Sequence, residues 1–298
     1  MLDGFARKKA SEGGTMISTR IRGGLGNQLF QYCAGRALAL RRGVDVSLDV
    51  RDYDRANAFK VGLGHFNVQT VPAERLPVGR EDGIAKALLK VVKGGALRSY
   101  REAPLGYDEA FGGLPDETHL KGYWQSERYF ADFEDQIRDD LRIVTLPSQK
   151  NVEMLAGIQR CNAVSLHIRR GDYVSNAKFN AAHGTCDLEY YARAAAFVAQ
   201  RAGDPVIYAF SDDPAWVAEN LRLPYEMRFV GHNDGDTNYE DLRLMLACQH
   251  HIIANSSFSW WGAWLNPSVE KIVAAPTQWF DDPNKTNPDI LPESWHRV

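Results

Sequence analysis

The sequence predicts a parallel α/β protein in two parts. Short apolar runs alternate with longer helical ones, the pattern of repeated βαβ units. Polar clusters fall at the carboxyl ends of several of those runs, where open α/β sheets bind their ligands. The pattern also breaks at Leu146-Pro147-Ser148, where a proline stops one segment and a serine can start the next. A chain of 298 residues holds one large domain or two of ordinary size. The expected division is a disordered extension over 1–15, a first α/β domain over 16–147 and a second over 148–298.

Residues 1–15 are polar, rich in Lys, Gly and Ser, and lack the apolar centre of a secretory signal. Met16 opens the first strand, Met16 to Arg22, and is a candidate for the true start. Gly23-Gly24-Leu25-Gly26-Asn27-Gln28 follows and leads into a helix with Leu29, Phe30, Cys33, Ala34, Ala37 and Leu38 on one face. Val44 to Val50 is the second strand. From Arg51 to Tyr107 the pattern weakens, with a helix expected over Ala85 to Val92 and loops around it. His119 to Trp124 is a further strand. Ser126 is read as the cap of a helix lined by Tyr129, Phe130, Phe133 and Ile137.

Beyond Pro147 a fresh helix starts near Ser148. Strands are expected at Ala163 to His167, Val206 to Phe210, His250 to Ala254 and Lys271 to Ala275. Helices are expected at Leu188 to Arg201, Pro214 to Leu221, Tyr239 to Gln249 and Ser257 to Leu265. The tail from Pro276 lacks periodicity and is expected to pack as irregular coil.

Composition narrows the function. The chain is 44% hydrophobic and 24% charged with a net charge of −3, so nothing electrostatic favours a nucleic-acid partner. No stretch approaches the ~20 uninterrupted apolar residues of a membrane span. The four cysteines, Cys33, Cys161, Cys186 and Cys248, lie far apart without a C-x-x-C pair, which argues against a zinc site or a disulfide framework. The reducing cytoplasm is the expected location, with peripheral association at the cytoplasmic membrane the most membrane contact foreseen.

Three polar clusters follow strands of the second part: His167-Ile168-Arg169-Arg170-Gly171-Asp172, Ser211-Asp212-Asp213 and Asn255-Ser256-Ser257. In a parallel sheet these ends share one edge, so the clusters should meet. Arginine offers a two-pronged fork to phosphate. Serines at a helix start offer hydroxyls and free backbone N–H groups to an anion. A carboxylate at Asp212 or Asp213 can accept from a base or a ribose. A nucleoside diphosphate uses all three. The plainer reading is helix capping, which should hold for one of the two aspartates.

Other features admit a structural role. Of Trp260, Trp261 and Trp264, at least two should pack in the core, leaving one to stack on a sugar. His250-His251 has no third ligand at metal spacing and is read as strand or core histidine. The glycine loop lacks the third glycine of a dinucleotide fingerprint, because Leu29 stands there. Asp49 nevertheless falls where such folds keep a ribose-binding acid, which leaves a NAD(P)-dependent oxidoreductase as an alternative. No Gly-Lys-Ser/Thr follows, so a Walker phosphate loop is excluded.

Four segments together carry a specific likeness: Gly23 to Tyr32, His167 to Val174, Phe210 to Pro214 and Asn255 to Leu265. Their order and spacing resemble the motif set of glycosyltransferase family 11, the bacterial and animal α-1,2-fucosyltransferases. The resemblance implies two facing Rossmann-like domains of the GT-B type, the first taking the acceptor and the second holding GDP-fucose. It implies that Arg169 meets the β-phosphate, that His167 and one of Asp212 and Asp213 contact the guanosine, and that Ser256, Ser257 and Phe258 wrap the phosphates. Asn27 matches the asparagine of the glycine loop that faces the donor. Arg170 and Asp172 match motif positions of partly structural role.

One departure concerns the base. The α-1,6 relatives carry a glutamate just past the motif, and Ala177 occupies about that place here. Asp172 is the nearest carboxylate, with His183 and Asp187 as weaker candidates.

The implied reaction is an inverting, metal-independent transfer of L-fucose from GDP-fucose to a hydroxyl, in the first place the 2-OH of a terminal β-galactoside in a surface glycan such as O-antigen or exopolysaccharide. No cofactor is expected. Another linkage, or a non-catalytic nucleotide- or glycan-binding protein, are the remaining alternatives.

Overall fold

The computed structural model describes residues 14–54, 59–73, 76, 97–103, 105–170 and 184–298. The expected helix over Ala85 to Val92 lies outside these, as do Asp172, Ala177, His183 and the extension up to residue 13. The chain separates into two compact units, Met1–Val144 and Thr145–Val298, so the division falls just ahead of Leu146-Pro147-Ser148.

The first unit contains β1 (Met16–Arg20), α1 (Leu25–Arg42), β2 (Asp45–Asp49), β3 (Arg98–Arg101), β4 (Thr118–Lys121) and α2 (Glu134–Asp140). Its four strands form one parallel sheet in the order β2-β1-β4-β3. The apolar face read for α1 is fully buried at Leu29, Phe30, Cys33, Ala34, Ala37 and Leu38. The helix lies close on the sheet at Gly35, where a Cβ would stand 3.0 Å from Thr19. It stops at Gly43, whose φ of 68° is the left-handed cap conformation that glycine adopts without strain.

Two expectations for this unit needed correction. β3 is an edge strand of sequence Arg-Ser-Tyr-Arg, largely exposed, so it offers no apolar alternation to read. The helix expected after Ser126 is broken. Ser126 accepts from the Arg128 N–H and heads a 3₁₀ turn at Glu127–Tyr129, a second follows at Ala131–Phe133, and only Glu134–Asp140 is α-helical. A knot of rings takes precedence there: Trp124, Phe111 and Tyr129 pack with centroids 4.7 to 5.3 Å apart.

The second unit runs α3 (Gln149–Ile158), β5 (Ala163–Ile168), α4 (Leu188–Ala202), β6 (Val206–Ser211), α5 (Pro214–Asn220), β7 (Glu226–Val230), α6 (Asn238–Ala247), β8 (His250–Ile252), α7 (Ser257–Trp264), β9 (Val273–Ala275) and β10 (His296–Arg297). Its sheet is parallel throughout, ordered β10-β9-β8-β5-β6-β7. Strand β6 shows why its sequence is a continuous apolar run. Ile207 and Ala209 pack into the cluster with α4, while Tyr208 and Phe210 pack into the other cluster with Leu244 and Met245 of α6.

The chain leaves β5 toward β6 and β7 on one side, then returns to β8 and β9 on the other. The crevice at the carboxyl ends of β5 and β8 is therefore the topological switch point, where such sheets hold ligands. β7 went unread because it is a half-exposed edge strand, and β10 because it has two residues. Trp260, Trp261 and Trp264 are all buried, so no tryptophan of α7 remains to stack on a sugar. His251 is a strand histidine, bonded to Ser165 Oγ at 2.8 Å and to Asn266 Nδ2 at 3.0 Å. No helix among the described residues is long and apolar enough to cross a membrane.

Candidate functional site

Two arginines leave the end of β5, and two aspartates leave the end of β6 beside them. Arg169 Nη1 lies 2.8 Å from Asp212 Oδ2, and the Arg170 backbone N–H donates to Asp212 Oδ1 at 2.9 Å. Both oxygens of Asp212 are thus engaged in holding the β5 turn. The Arg170 guanidinium lies over the Trp216 ring, 3.4 Å from its centroid, and 3.5 Å from Asp213 Oδ2. Asp213 caps α5 by accepting from the Trp216 N–H at 3.2 Å, with Pro214 next in the helix. The capping role falls on Asp213 and the arginine-orienting role on Asp212.

His167 is buried, and its ring meets that of Phe258 at 5.7 Å between centroids. This contact brings the β5 cluster against the start of α7. Burial pushes the imidazole pKa down to about 4, opposed by Asp212 and assisted by Arg169, so the ring is neutral at physiological pH. Among the described residues its Nδ1 is buried without a hydrogen-bond partner, an unusual state for a buried polar atom.

Ser256 caps α7, its Oγ accepting from the Phe258 N–H at 3.3 Å. Ser257 and Phe258 are half-buried in the first turn. Asn255 is structural: its Nδ2 donates to the carbonyls of Gly184 at 3.4 Å and Trp279 at 3.3 Å. Asp187, one of the weaker base candidates, caps α4 by accepting from the Tyr190 N–H at 2.6 Å.

In the first unit, Gly23 adopts a φ of 78° that favours glycine and starts the turn into α1. The fully buried Gln28 clamps the loop, donating to the carbonyls of Gly23 at 3.0 Å and Lys60 at 2.8 Å. Asn27 is half-buried, and its Oδ1 accepts from Gln125 Nε2 at 2.8 Å. Asp49 is taken up by Arg51, which donates to its two oxygens at 2.7 and 2.8 Å. Burial works to raise this carboxyl, and Arg51 outweighs it, so Asp49 stays ionised. The acid that the oxidoreductase alternative needs for a ribose is therefore committed elsewhere.

One cluster escaped the sequence reading. Asn151 of α3, fully buried, accepts from Asn233 at 3.2 Å and bonds His232 Nε2 at 2.8 Å. Asn233 also donates to Asp241 of α6 at 2.7 Å. Burial pushes the Asp241 carboxyl up to about 7, against the pull of Asn233. The turn after β7 and the start of α6 belong to the same carboxyl edge as Arg169. The only trace in the sequence was a polar loop before a helix, because the unread β7 hid where that loop falls.

Comparison with known proteins places these features in context. The profile described as Glycosyl transferase family 11 matches residues 96–298. The chain is similar to an alpha-1,2-colitosyltransferase of Escherichia coli, at 32% identity over 95% of this chain and 99% of the relative. It is similar to the O-antigen biosynthesis glycosyltransferase WbnK of Escherichia coli, at 29% identity over 92% of this chain and 98% of that one. The galactoside 2-alpha-L-fucosyltransferase Sec1 of Mus musculus is 25% identical over 88% of this chain and 68% of its own length. Among solved structures, that of an Arabidopsis thaliana FUT1 mutant in complex with GDP matches with a TM-score of 0.50 and 12% identity, covering 93% of this chain and 74% of that one. That likeness speaks to the fold alone.

Proposed function

Because the chain belongs to glycosyltransferase family 11, we propose that it transfers L-fucose from GDP-fucose to the 2-OH of a terminal β-galactoside in a surface glycan such as O-antigen. The observation that carries this reading is Arg169, locked by Asp212 at the switch point of the second sheet. That arrangement suits a diphosphate that must take up charge.

The fucosyl bond to GDP breaks through an oxocarbenium-like transition state. Negative charge then develops on the β-phosphate. A pre-oriented Arg169 donates its fork to those oxygens, and the Ser257 hydroxyl and the positive end of α7 add to it without reorganisation. Such donors are each worth about 3 kcal/mol of transition-state stabilisation in comparable sites. His167, neutral and with Nδ1 unbonded, is available to a donor group of the nucleoside. The acceptor oxygen attacks the face opposite GDP, so a β-linked donor gives an α-fucoside. A leaving group stabilised in this way lowers the demand on a base, and it leaves no step that requires a metal.

Recognition of guanine needs a carboxylate facing the N1–H and the amino group. Asp212 spends both oxygens on Arg169 and the Arg170 backbone, and Asp213 caps α5. Among the described residues Asp241 has Asn233 alone on its carboxylate, which makes it a third candidate beside the first two.

The colitosyltransferase relative supports a second reading in which the donated sugar is colitose. Incubation with GDP-fucose and GDP-colitose in parallel, each with a panel of galactosides, tests both, with product linkage read by NMR. An α-1,2-fucosyl product is expected. Transfer of colitose alone would shift the assignment to the second reading, and no transfer from either donor would reject both.

A further inference from the structure

The carboxyl edge of the first sheet carries a cationic cavity that the transfer reaction has not yet used. Three neighbouring parallel strands each end in a cation: Arg20 closes β1, Lys121 closes β4 and Arg101 closes β3. With Arg22, Glu102, Gly122 and Tyr123 they line a cavity of about 180 Å³. We propose that this cavity binds an oxyanion carried by the glycan acceptor, a phosphate or carboxylate group held by Arg22, Arg101 and Lys121.

The charge balance drives the inference. Among the described residues, the carboxylates near the cavity are already committed. Asp52 holds Arg20 through two bonds of 2.7 and 3.0 Å, and Asp49 holds Arg51. Glu102 accepts from the backbone N–H groups of Tyr123 at 2.6 Å and Trp124 at 2.8 Å. Arg22, Arg101 and Lys121 are left with no carboxylate partner among the described residues. Arg22 instead lies over the Tyr123 ring, 5.4 Å from its centroid. Arg101 and Lys121 are register partners across β3 and β4, so two like charges face each other at the mouth of the cavity. Burial lowers the Lys121 pKa, and repulsion from Arg20 and Arg101 lowers it further. An arriving oxyanion relieves that repulsion, and arginine forks match its geometry.

The backbone keeps the cavity open. Gly122 follows Lys121, and a Cβ there would stand 2.5 Å from Glu102 Cβ and 2.8 Å from the Trp124 ring. A glycine at this position lets Glu102 reach the two N–H groups, which occupy both of its oxygens. A neutral terminal galactoside has no use for three unpaired cations. An acceptor carrying an anion does, whether the anion is the diphosphate of a lipid carrier or an acidic sugar in the glycan.

This inference rests on the fucosyltransferase reading for the identity of the acceptor, so its test has one arm that needs no transfer. The first arm compares KM for a neutral galactoside, a galactoside on a lipid diphosphate and a uronate-bearing galactoside. In R101Q/K121Q, KM should rise about 10-fold for whichever charged acceptor is the natural one. KM for GDP-fucose and for the neutral galactoside should be unchanged. The charge-keeping R101K/K121R variant should retain most of the binding that R101Q/K121Q loses, which separates charge loss from misfolding. The second arm is calorimetry with inorganic diphosphate on protein saturated with GDP: wild type should bind it and R101Q/K121Q should not. Equal diphosphate binding by both proteins, no binding by either, or a rise in the KM for GDP-fucose would overturn the proposal. Lost diphosphate binding in a protein that transfers to no galactoside would reject the transfer reading and keep the cavity.

Discussion

The two sheets share an architecture and treat the charges at their carboxyl edges in opposite ways. In the second unit, Arg169 is paired with Asp212 and Arg170 with Asp213 and the Trp216 ring. In the first unit, Arg101 and Lys121 stand at the ends of adjacent strands with no carboxylate paired to them among the described residues. A paired arginine has its direction fixed before any ligand arrives, which is what stabilising a developing charge requires. An unpaired cluster supplies attraction without fixed direction, which suits capture of an anion and little else. On the proposed reading, the difference separates an edge built for chemistry from an edge built for binding.

The sharpest break in this comparison is at Arg169. Arg169→Lys keeps the charge and loses the fork and its orientation by Asp212, so kcat should fall by more than ~100-fold while KM for GDP-fucose changes less. Asp212→Asn leaves Arg169 in place with weaker orientation and should cost roughly 10-fold in kcat. Steady-state kinetics with whichever galactoside of the panel accepts fucose reads both. Near-normal turnover in Arg169→Lys would make the second edge another binding edge.

A middle-sized effect concerns guanine. GDP should bind far more tightly than UDP or ADP, and Asn at the recognising carboxylate should cost about 1.5–3 kcal/mol of GDP affinity and narrow that gap. Calorimetry on Asp212→Asn, Asp213→Asn and Asp241→Asn assigns the residue. With Asp212 and Asp213 already engaged, the largest loss is expected at Asp241. Equal affinity of the wild type for GDP and UDP would remove the guanine contact altogether.

Asp241 is a buried carboxylate of the second edge with no arginine on it among the described residues. Its pKa in the folded chain is about 7 against an ordinary 3.8, with burial as the main cause. Between those values the folded state binds more protons than the unfolded one, so this group makes stability fall as pH rises toward 7. Asp241→Asn should flatten that slope and, at pH 8, gain on the order of 1 kcal/mol, or about 2–4 °C in Tm. Melting curves of ligand-free wild type and variant from pH 4 to 8 read it. Parallel pH profiles in the two proteins would show that Asp241 ionises normally.

How much of this was legible in the sequence follows from burial. Strands β5, β6 and β8 and helices α1, α4 and α7 bury a continuous run or a full helical stripe, and their patterns located them to within a few residues. Edge strands β3 and β7 bury too little to leave a pattern, and the Asp241 cluster went unseen with β7. The motif residues at the end of β5 were legible because two adjacent arginines and an aspartate at the end of an apolar run have no use in a core. Their division of labour was not. That Asp212 orients while Asp213 caps depends on which oxygen meets which N–H, and adjacent aspartates look alike in a sequence. The Arg20, Lys121 and Arg101 cluster was illegible for a different reason: the cations lie up to a hundred residues apart and meet only because β4 inserts between β1 and β3.

The smallest effect expected is none, and it tests the same contrast between edges. If Arg169, the Ser257 hydroxyl and the start of α7 receive the charge that develops on the leaving diphosphate, a divalent cation there would compete with the guanidinium for the same oxygens. It would also sit against the positive end of a helix, which disfavours it. Transfer should then continue in excess EDTA at its original rate, and added Mg²⁺ or Mn²⁺ should change kcat less than about twofold, well short of the ~100-fold expected at Arg169. Rates measured after dialysis against EDTA, with and without each metal restored, decide the matter. Loss of activity on chelation and recovery with one metal would mean that the second edge neutralises its arginines to make room for a cation, and Asp212 would then be the first residue to re-examine as its ligand.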